Sequence, residues 1–186
     1  MILYIHGFGS SGEGRKAKIF REHFRKRGVP FMAPSLSYIP ELAIKTLEEI
    51  IEMCEDITLI GSSLGGYYAI YLAEKYGLKA VLINPAVRSS KTLKRAIDKT
   101  GLALNYYDSS HFEWRKSYLD MLEVLHCDTI ERGEYYLMLQ TGDEVLDYQE
   151  AVNKLPHAKT MIEEGGTHSF EGIERYYTEI ENFLRQ

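Results

Sequence analysis

The stretch Gly61-Ser62-Ser63-Leu64-Gly65 constrains this chain most, because of what stands on either side of it. Ile57-Thr58-Leu59-Ile60 before it is short, rich in β-branched residues and free of charge, as a strand buried on both faces of a parallel sheet should be. After it, Gly65, Ala69, Leu72 and Tyr76 recur at helical spacing, and Gly77 supplies the stop. Gly-x-Ser-x-Gly between a strand and a helix is the pattern of a nucleophile elbow, in which a sharp turn holds the serine in strained dihedrals and lifts its hydroxyl above the sheet edge. A Cβ at Gly61 or Gly65 is expected to collide where strand and helix cross. Ser63 is therefore the candidate nucleophile.

The same alternation runs along the chain. Strands are expected at 2–5, 31–33, 57–60, 80–83, 135–139 and 159–162, with helices between and after them. One helix carries Ala17, Phe20 and Phe24 on one side, and the next repeats Ala43, Leu47, Ile50, Ile51 and Cys54 as a single stripe. The last places Ile173, Tyr176, Tyr177, Ile180, Phe183 and Leu184 on one face. This order predicts an α/β fold, a minimal six-stranded parallel sheet with helices on both faces, in one domain spanning 1–186. Between about 89 and 132 the alternation pauses. Helices are expected there at 93–103 and 119–125, with Tyr106, Tyr107, His111, Phe112, Trp114 and Tyr118 crowded between them. The segment reads as a small helical lid, its aromatics lining a pocket or packing the lid against the body.

In an open parallel sheet, ligands bind beyond the carboxyl ends of the strands, and His6-Gly7, Ser63, Asp143 and His168 all fall in such loops. A serine hydroxyl needs a base within hydrogen-bond reach, and the base needs a carboxylate to fix its tautomer. His168 follows Gly165-Gly166 after the last strand and is the expected base. Asp143 after the penultimate strand is the expected acid, Asp147 its rival and Glu144 a third choice. The oxyanion would be held by the backbone N–H groups of Leu64 and of Phe8, the latter in the glycine-rich loop after the first strand, which His6 shapes. That loop has neither a Gly-x-Gly-x-x-Gly nor a Walker ending, so nucleotide binding is not expected. Tyr38, Tyr67, Tyr106, Phe112 and Trp114 are the candidate substrate-lining side chains.

Composition excludes other classes. A net charge of −5 with mixed signs argues against a nucleic-acid partner, and no apolar run reaches membrane-spanning length. Cys54 and Cys127 offer no disulfide framework, and there is neither a Cys-x-x-Cys nor a His pair at metal-ligand spacing. With a strand starting at Ile2 and no leader pattern, the expectation is a soluble cytoplasmic protein without metal. The sequence leaves the oligomeric state open.

Gly-Ser-Ser-Leu-Gly-Gly-Tyr-Tyr-Ala at 61–69, Asn-Pro-Ala-Val-Arg at 84–88, Gln-Thr-Gly-Asp-Glu-Val-Leu-Asp-Tyr at 140–148 and Glu-Gly-Gly-x-His-x-Phe at 164–170 resemble motifs of a known family. With the opening Leu-Tyr-Ile-His-Gly-Phe, the chain is similar nearly end to end to the small bacterial YqiA/YcfP-like esterases of the α/β-hydrolase superfamily. The resemblance implies cofactor-free hydrolysis of short acyl esters or thioesters, and it is weakest around 102–128. Arg88 belongs to one of the shared motifs and is expected in a structural ion pair. Rival readings of the same residues are an acyl-CoA thioesterase or acyltransferase, and a binding module that keeps the scaffold without turnover.

Overall fold

Along the strands, successive side chains serve two different cores. Leu3, Ile5, Leu59, Leu82, Leu137 and Leu139 belong to one buried cluster, while Ile2, Tyr4, Ile60, Val81, Ile83 and Met138 belong to the other. A sheet apolar on both faces must be covered on both, and helices do so. The structure, a computed structural model, describes residues 1–96 and 100–185. In chain order its elements are β1 (Ile2–Ile5), α1 (Arg15–Lys26), β2 (Phe31–Met32), α2 (Pro40–Glu52), β3 (Thr58–Ser62), α3 (Leu64–Tyr76), β4 (Lys79–Ile83) and α4 (Ser89–Thr92). There follow β5 (Leu102–Leu104), β6 (His111–Glu113), α5 (Lys116–Val124), β7 (Glu134–Gln140), α6 (Tyr148–Lys154), β8 (Lys159–Glu163) and α7 (Tyr177–Arg185). Turns of 3-10 helix occupy Leu93–Ala96 and Ile173–Tyr176.

Six strands align in the order β2-β1-β3-β4-β7-β8, every neighbouring pair parallel. Phe20 and Phe24 of α1 and Ile180, Phe183 and Leu184 of α7 cover one face. Ala43, Leu47 and Ile51 of α2, Leu72 and Ala73 of α3 and Ala151 of α6 cover the other. The strand order reverses between β1 and β3, and the loops after β1, β3, β4, β7 and β8 gather at one edge of the sheet.

The insertion between β4 and β7 is less helical than its sequence pattern predicts. A helix expected over 93–103 ends in a 3-10 turn at Ala96, residues 97–99 of that stretch lie outside the described residues, and Leu102–Leu104 is a strand. It pairs antiparallel with His111–Glu113, so that Ala103 and Phe112 are buried opposite each other while Leu102, Leu104, His111 and Glu113 face outward. The apolar residues here follow a period of two, over strands too short for the pattern to stand out from helical spacing. The helix expected over 119–125 is present as α5.

Return from the insertion to β7 is fixed by one carboxylate. Glu74, at the end of α3, accepts the backbone N–H groups of Glu131, Arg132 and Gly133 at 2.8–3.0 Å and the Tyr135 hydroxyl. Burial pushes this carboxyl up, but the hydrogen bonds together outweigh it and hold the group below the usual glutamate range. A depressed folded-state value means that the stabilisation is present above the unfolded pKa and is lost as pH falls through the folded one. Glu74→Ala is expected to lower unfolding stability at neutral pH by about 2 kcal/mol in urea denaturation. The gap to the parent protein should close as pH falls below about 4.

Candidate active site

Where β3 passes into α3, the two elements cross closer than a side chain permits. A Cβ on Gly61 would lie 2.4 Å from the Gly65 carbonyl oxygen, and one on Gly65 would lie 2.0 Å from the Ile5 carbonyl oxygen. Turning the chain in so little space forces Ser63 to φ 55°, ψ −119°, outside the regions an L-residue favours. Its backbone is pinned there: the N–H donates to Ile83 O at 3.2 Å, and the carbonyl accepts from Gly66, Tyr67 and Ala86.

The Ser63 hydroxyl lies 3.0 Å from His168 Nε2, and His168 Nδ1 lies 2.8 Å from Asp143 Oδ2. A carboxylate only accepts, so the proton between them sits on Nδ1, and Nε2 is left with its lone pair toward the serine hydroxyl. The second oxygen of Asp143 accepts the N–H groups of Val145 and Leu146, both at 2.8 Å. Burial pushes the Asp143 carboxyl up, but the His168 ring and these amides more than offset it, and its pKa lies below the usual aspartate range. Asp147 is placed differently, as the N-cap of α6, its Oδ1 accepting the Gln149 N–H at 2.9 Å. Glu144 reaches the site through its carboxylate, Oε2 accepting the main-chain N–H of His168 at 3.0 Å and not the imidazole.

Loop His6–Gly9 lies against the elbow, close enough that a Cβ on Gly7 would stand 3.2 Å from Ser63 Cβ. Buried His6 ties this loop down: Nδ1–H donates to Gly7 O at 2.9 Å, and Nε2 accepts the Leu36 N–H at 3.0 Å. Burial holds its pKa below the ordinary histidine value, which keeps Nε2 free to accept. Neither the Phe8 nor the Leu64 N–H has a hydrogen-bond partner among the described residues, and Leu64, opening α3, has no intrahelical acceptor.

Beside the elbow is a cavity of only about 20 Å³, with Phe8, Leu36, Tyr38, Leu64, Tyr68 and Trp114 in its lining. Of the candidate substrate-lining side chains, Tyr38 and Trp114 border this cavity. Phe112 stands one layer back, stacked on Tyr38 at 3.7 Å between centroids, and Phe8 packs edge-on against both Phe112 and Trp114. Tyr67 and Tyr106 are not in the lining. Tyr67 donates its hydroxyl to Leu122 O at 2.7 Å and holds α5 to α3, while the exposed Tyr106 gives its N–H to Gly9 O and lays its ring beside Gly9, where a Cβ would stand 3.1 Å from it. Tyr68, the neighbour of Tyr67, and Leu36 are lining residues that sequence reasoning missed; one step along a helix turns a side chain by about 100°. Arg88 also departs from expectation: its side chain is exposed at the start of α4 and has no ion-pair partner among the described residues.

Among the described residues, no group of three or more His, Cys, Asp or Glu side chains is arranged to hold a metal ion, and no helix is long and apolar enough to cross a membrane. Cys54 and Cys127 are unpaired thiols. The different surroundings of the two aspartates predict different losses. Asp147→Ala should cost about 1 kcal/mol in urea denaturation, the worth of a helix cap, and leave the hydrogen-bonded Nδ1 proton of His168 visible by NMR. Asp143→Asn should remove that proton signal.

Comparison with known proteins places the chain. It is 25% identical to the UPF0227 protein YcfP of Salmonella gallinarum, over 98% of both chains. A putative hydrolase from Agrobacterium vitis superposes with a TM-score of 0.80 at 16% identity, covering 98% of this chain and 87% of that one. The monoacylglycerol lipase of Paleococcus ferrophilus superposes with a TM-score of 0.71 at 20% identity, covering 99% and 93%. These likenesses identify the fold as that of the α/β hydrolases. The family described as uncharacterised protein family UPF0227 matches residues 1–185, and the chain belongs to it.

Proposed function

We propose that this protein is a serine esterase that hydrolyses small acyl esters through an acyl-enzyme on Ser63. The observation that carries the reading is the unbroken chain from Ser63 Oγ through both nitrogens of His168 to Asp143, at 3.0 and 2.8 Å, standing on a strained elbow. His168 Nε2 takes the hydroxyl proton as Oγ bonds to the ester carbonyl carbon. The unpartnered N–H groups of Phe8 and Leu64 receive the developing oxyanion, each worth about 3 kcal/mol to the transition state. Collapse breaks the bond to the alcohol, which leaves with the proton from His168. Water then gives its proton to His168 and attacks the acyl carbon, releasing the acid and restoring Ser63. Asp143 stabilises imidazolium in both halves. An acyl thioester would follow the same steps.

Segment 89–132 acts as the lid of this site. Its links to the catalytic side include the Tyr106 N–H on Gly9 O, the packing of Phe112 and Trp114 on Phe8, the stack of Phe112 on Tyr38, and the Asn105 amide donated to the Tyr38 hydroxyl at 2.8 Å. With a cavity near the size of one water, this arrangement favours the shortest acyl groups. Two unpaired cysteines fit a reducing, cytoplasmic setting.

On p-nitrophenyl acetate, Ser63→Ala and His168→Ala should each lose about a millionfold in kcat. A fluorophosphonate should label Ser63 in the parent protein; no label and no turnover would favour a binding module instead. Tyr38→Ala, which removes one wall of the cavity, should raise the butyrate-to-acetate ratio of kcat/KM by about tenfold. An unchanged ratio would place the acyl group elsewhere.

A further inference from the structure

His168 stands on a loop that neither helix nor strand supports, yet its main-chain groups are almost all bonded, and to side chains. Thr167 donates its N–H to Gln140 Oε1 at 3.1 Å, and its carbonyl accepts from Asn84 Nδ2 at 3.0 Å. The His168 carbonyl accepts from the same Asn84 nitrogen at 3.2 Å, and the Ser169 carbonyl accepts from Lys16 Nζ at 2.7 Å. Beyond the loop, Glu171 donates its N–H to Gln140 Oε1 at 2.8 Å and accepts from Gln140 Nε2 at 2.9 Å.

Asn84 and Gln140 are the centre of this arrangement. Asn84 directly follows β4 and Gln140 ends the adjacent β7; they are 2% and 1% exposed and are themselves joined, Asn84 Oδ1 accepting the Gln140 N–H at 3.0 Å. Gln140 Nε2 also donates to Glu163 Oε2 at 2.7 Å, so both ends of each carboxamide are committed. Each position needs a donor and an acceptor on one planar group, which an amide has and a carboxylate lacks. Asn84 adopts φ 39°, a conformation that asparagine tolerates better than most residues. The loop fits against Gln140 only because residue 166 is glycine: a Cβ there would fall 2.1 Å from Gln140 Oε1.

We propose that Asn84 and Gln140 are positioning residues, a pair of linked amides that hold the His168 loop so that its imidazole meets both Ser63 and Asp143. This rests on the esterase reading for its kinetic consequence, though not for its structural one. A buried pair whose only task was stability would tolerate loss of one bond without moving the imidazole; a pair that sets the ring would not.

Asn84→Asp and Gln140→Glu keep shape and volume but turn a donor into an acceptor facing carbonyl or carboxylate oxygens. In each variant, with circular dichroism unchanged, the rate of fluorophosphonate labelling and kcat on p-nitrophenyl acetate should fall by about a hundredfold, as for a displacement of about 1 Å, with KM little changed. The hydrogen-bonded Nδ1 proton of His168 should shift or vanish from the NMR spectrum. Folded variants with the parent labelling rate and the parent proton signal would overturn the proposal, as would failure of both variants to fold. Should the parent protein itself resist labelling, the esterase reading fails while the proton signal still decides whether the amides set the ring.

Discussion

Strand β3 and helix α3 cross at a separation that excludes any side chain, and the architecture of the site follows from that contact. Gly61 permits it, Gly65 lets the end of β1 approach the start of α3, and Ser63 between them has no relaxed conformation open to it. The cost of holding Ser63 at a positive φ is of order 1–3 kcal/mol, which the surrounding sheet must exceed. Ser63 main-chain bonds to Ile83 and Ala86, on and just after the neighbouring strand, show how it does so. The hydroxyl is fixed in space by the same contacts that close the core, so a polar group stands at the sheet edge without any flexible support.

Opposite the elbow the problem is reversed. The His168 imidazole comes from a loop, and loops lack the ladder bonds that make a strand rigid. Here side chains take the ladder's place: amides from two strand ends, a carboxylate from the β7 loop and an ammonium from α1 converge on residues 167–171. Asp143 belongs to the same design. Its inner oxygen aligns the imidazole and its outer one is fixed by two amides of its own turn, so the carboxylate has little freedom to rotate away.

Much of the fold is legible in the sequence, for a physical reason. Runs such as Leu3-Tyr4-Ile5 and Val81-Leu82-Ile83 carry no charge because both faces of the sheet are buried, and the helices around them repeat their apolar stripe at 3.6 residues. Ser63, Asp143 and His168 are legible because each follows a strand in the parallel sheet, and their mutual geometry is what the order of those strands dictates. The insertion is not, since strands of three residues give a period-two pattern no length in which to declare itself. Tyr67 and Tyr68 illustrate a further limit: two identical neighbours on one helix face different ways, and nothing local says which meets the cavity. Asn84 and Gln140 are not legible in the sequence as loop supports. Their partners lie 23 to 84 residues away in the chain, so a lone Asn before a proline, or a Gln ending a strand, carries no mark of the bonds it makes.

The central claim is that Ser63 becomes covalently acylated during turnover. Rapid-quench mass spectrometry of the protein mixed with p-nitrophenyl acetate tests it most directly. The account predicts a transient acetyl group on the peptide containing Ser63, located on that residue and absent from Ser63→Ala. Hydrolysis with no acyl adduct at any time, or an adduct on another side chain that forms and decays at the rate of turnover, would contradict it.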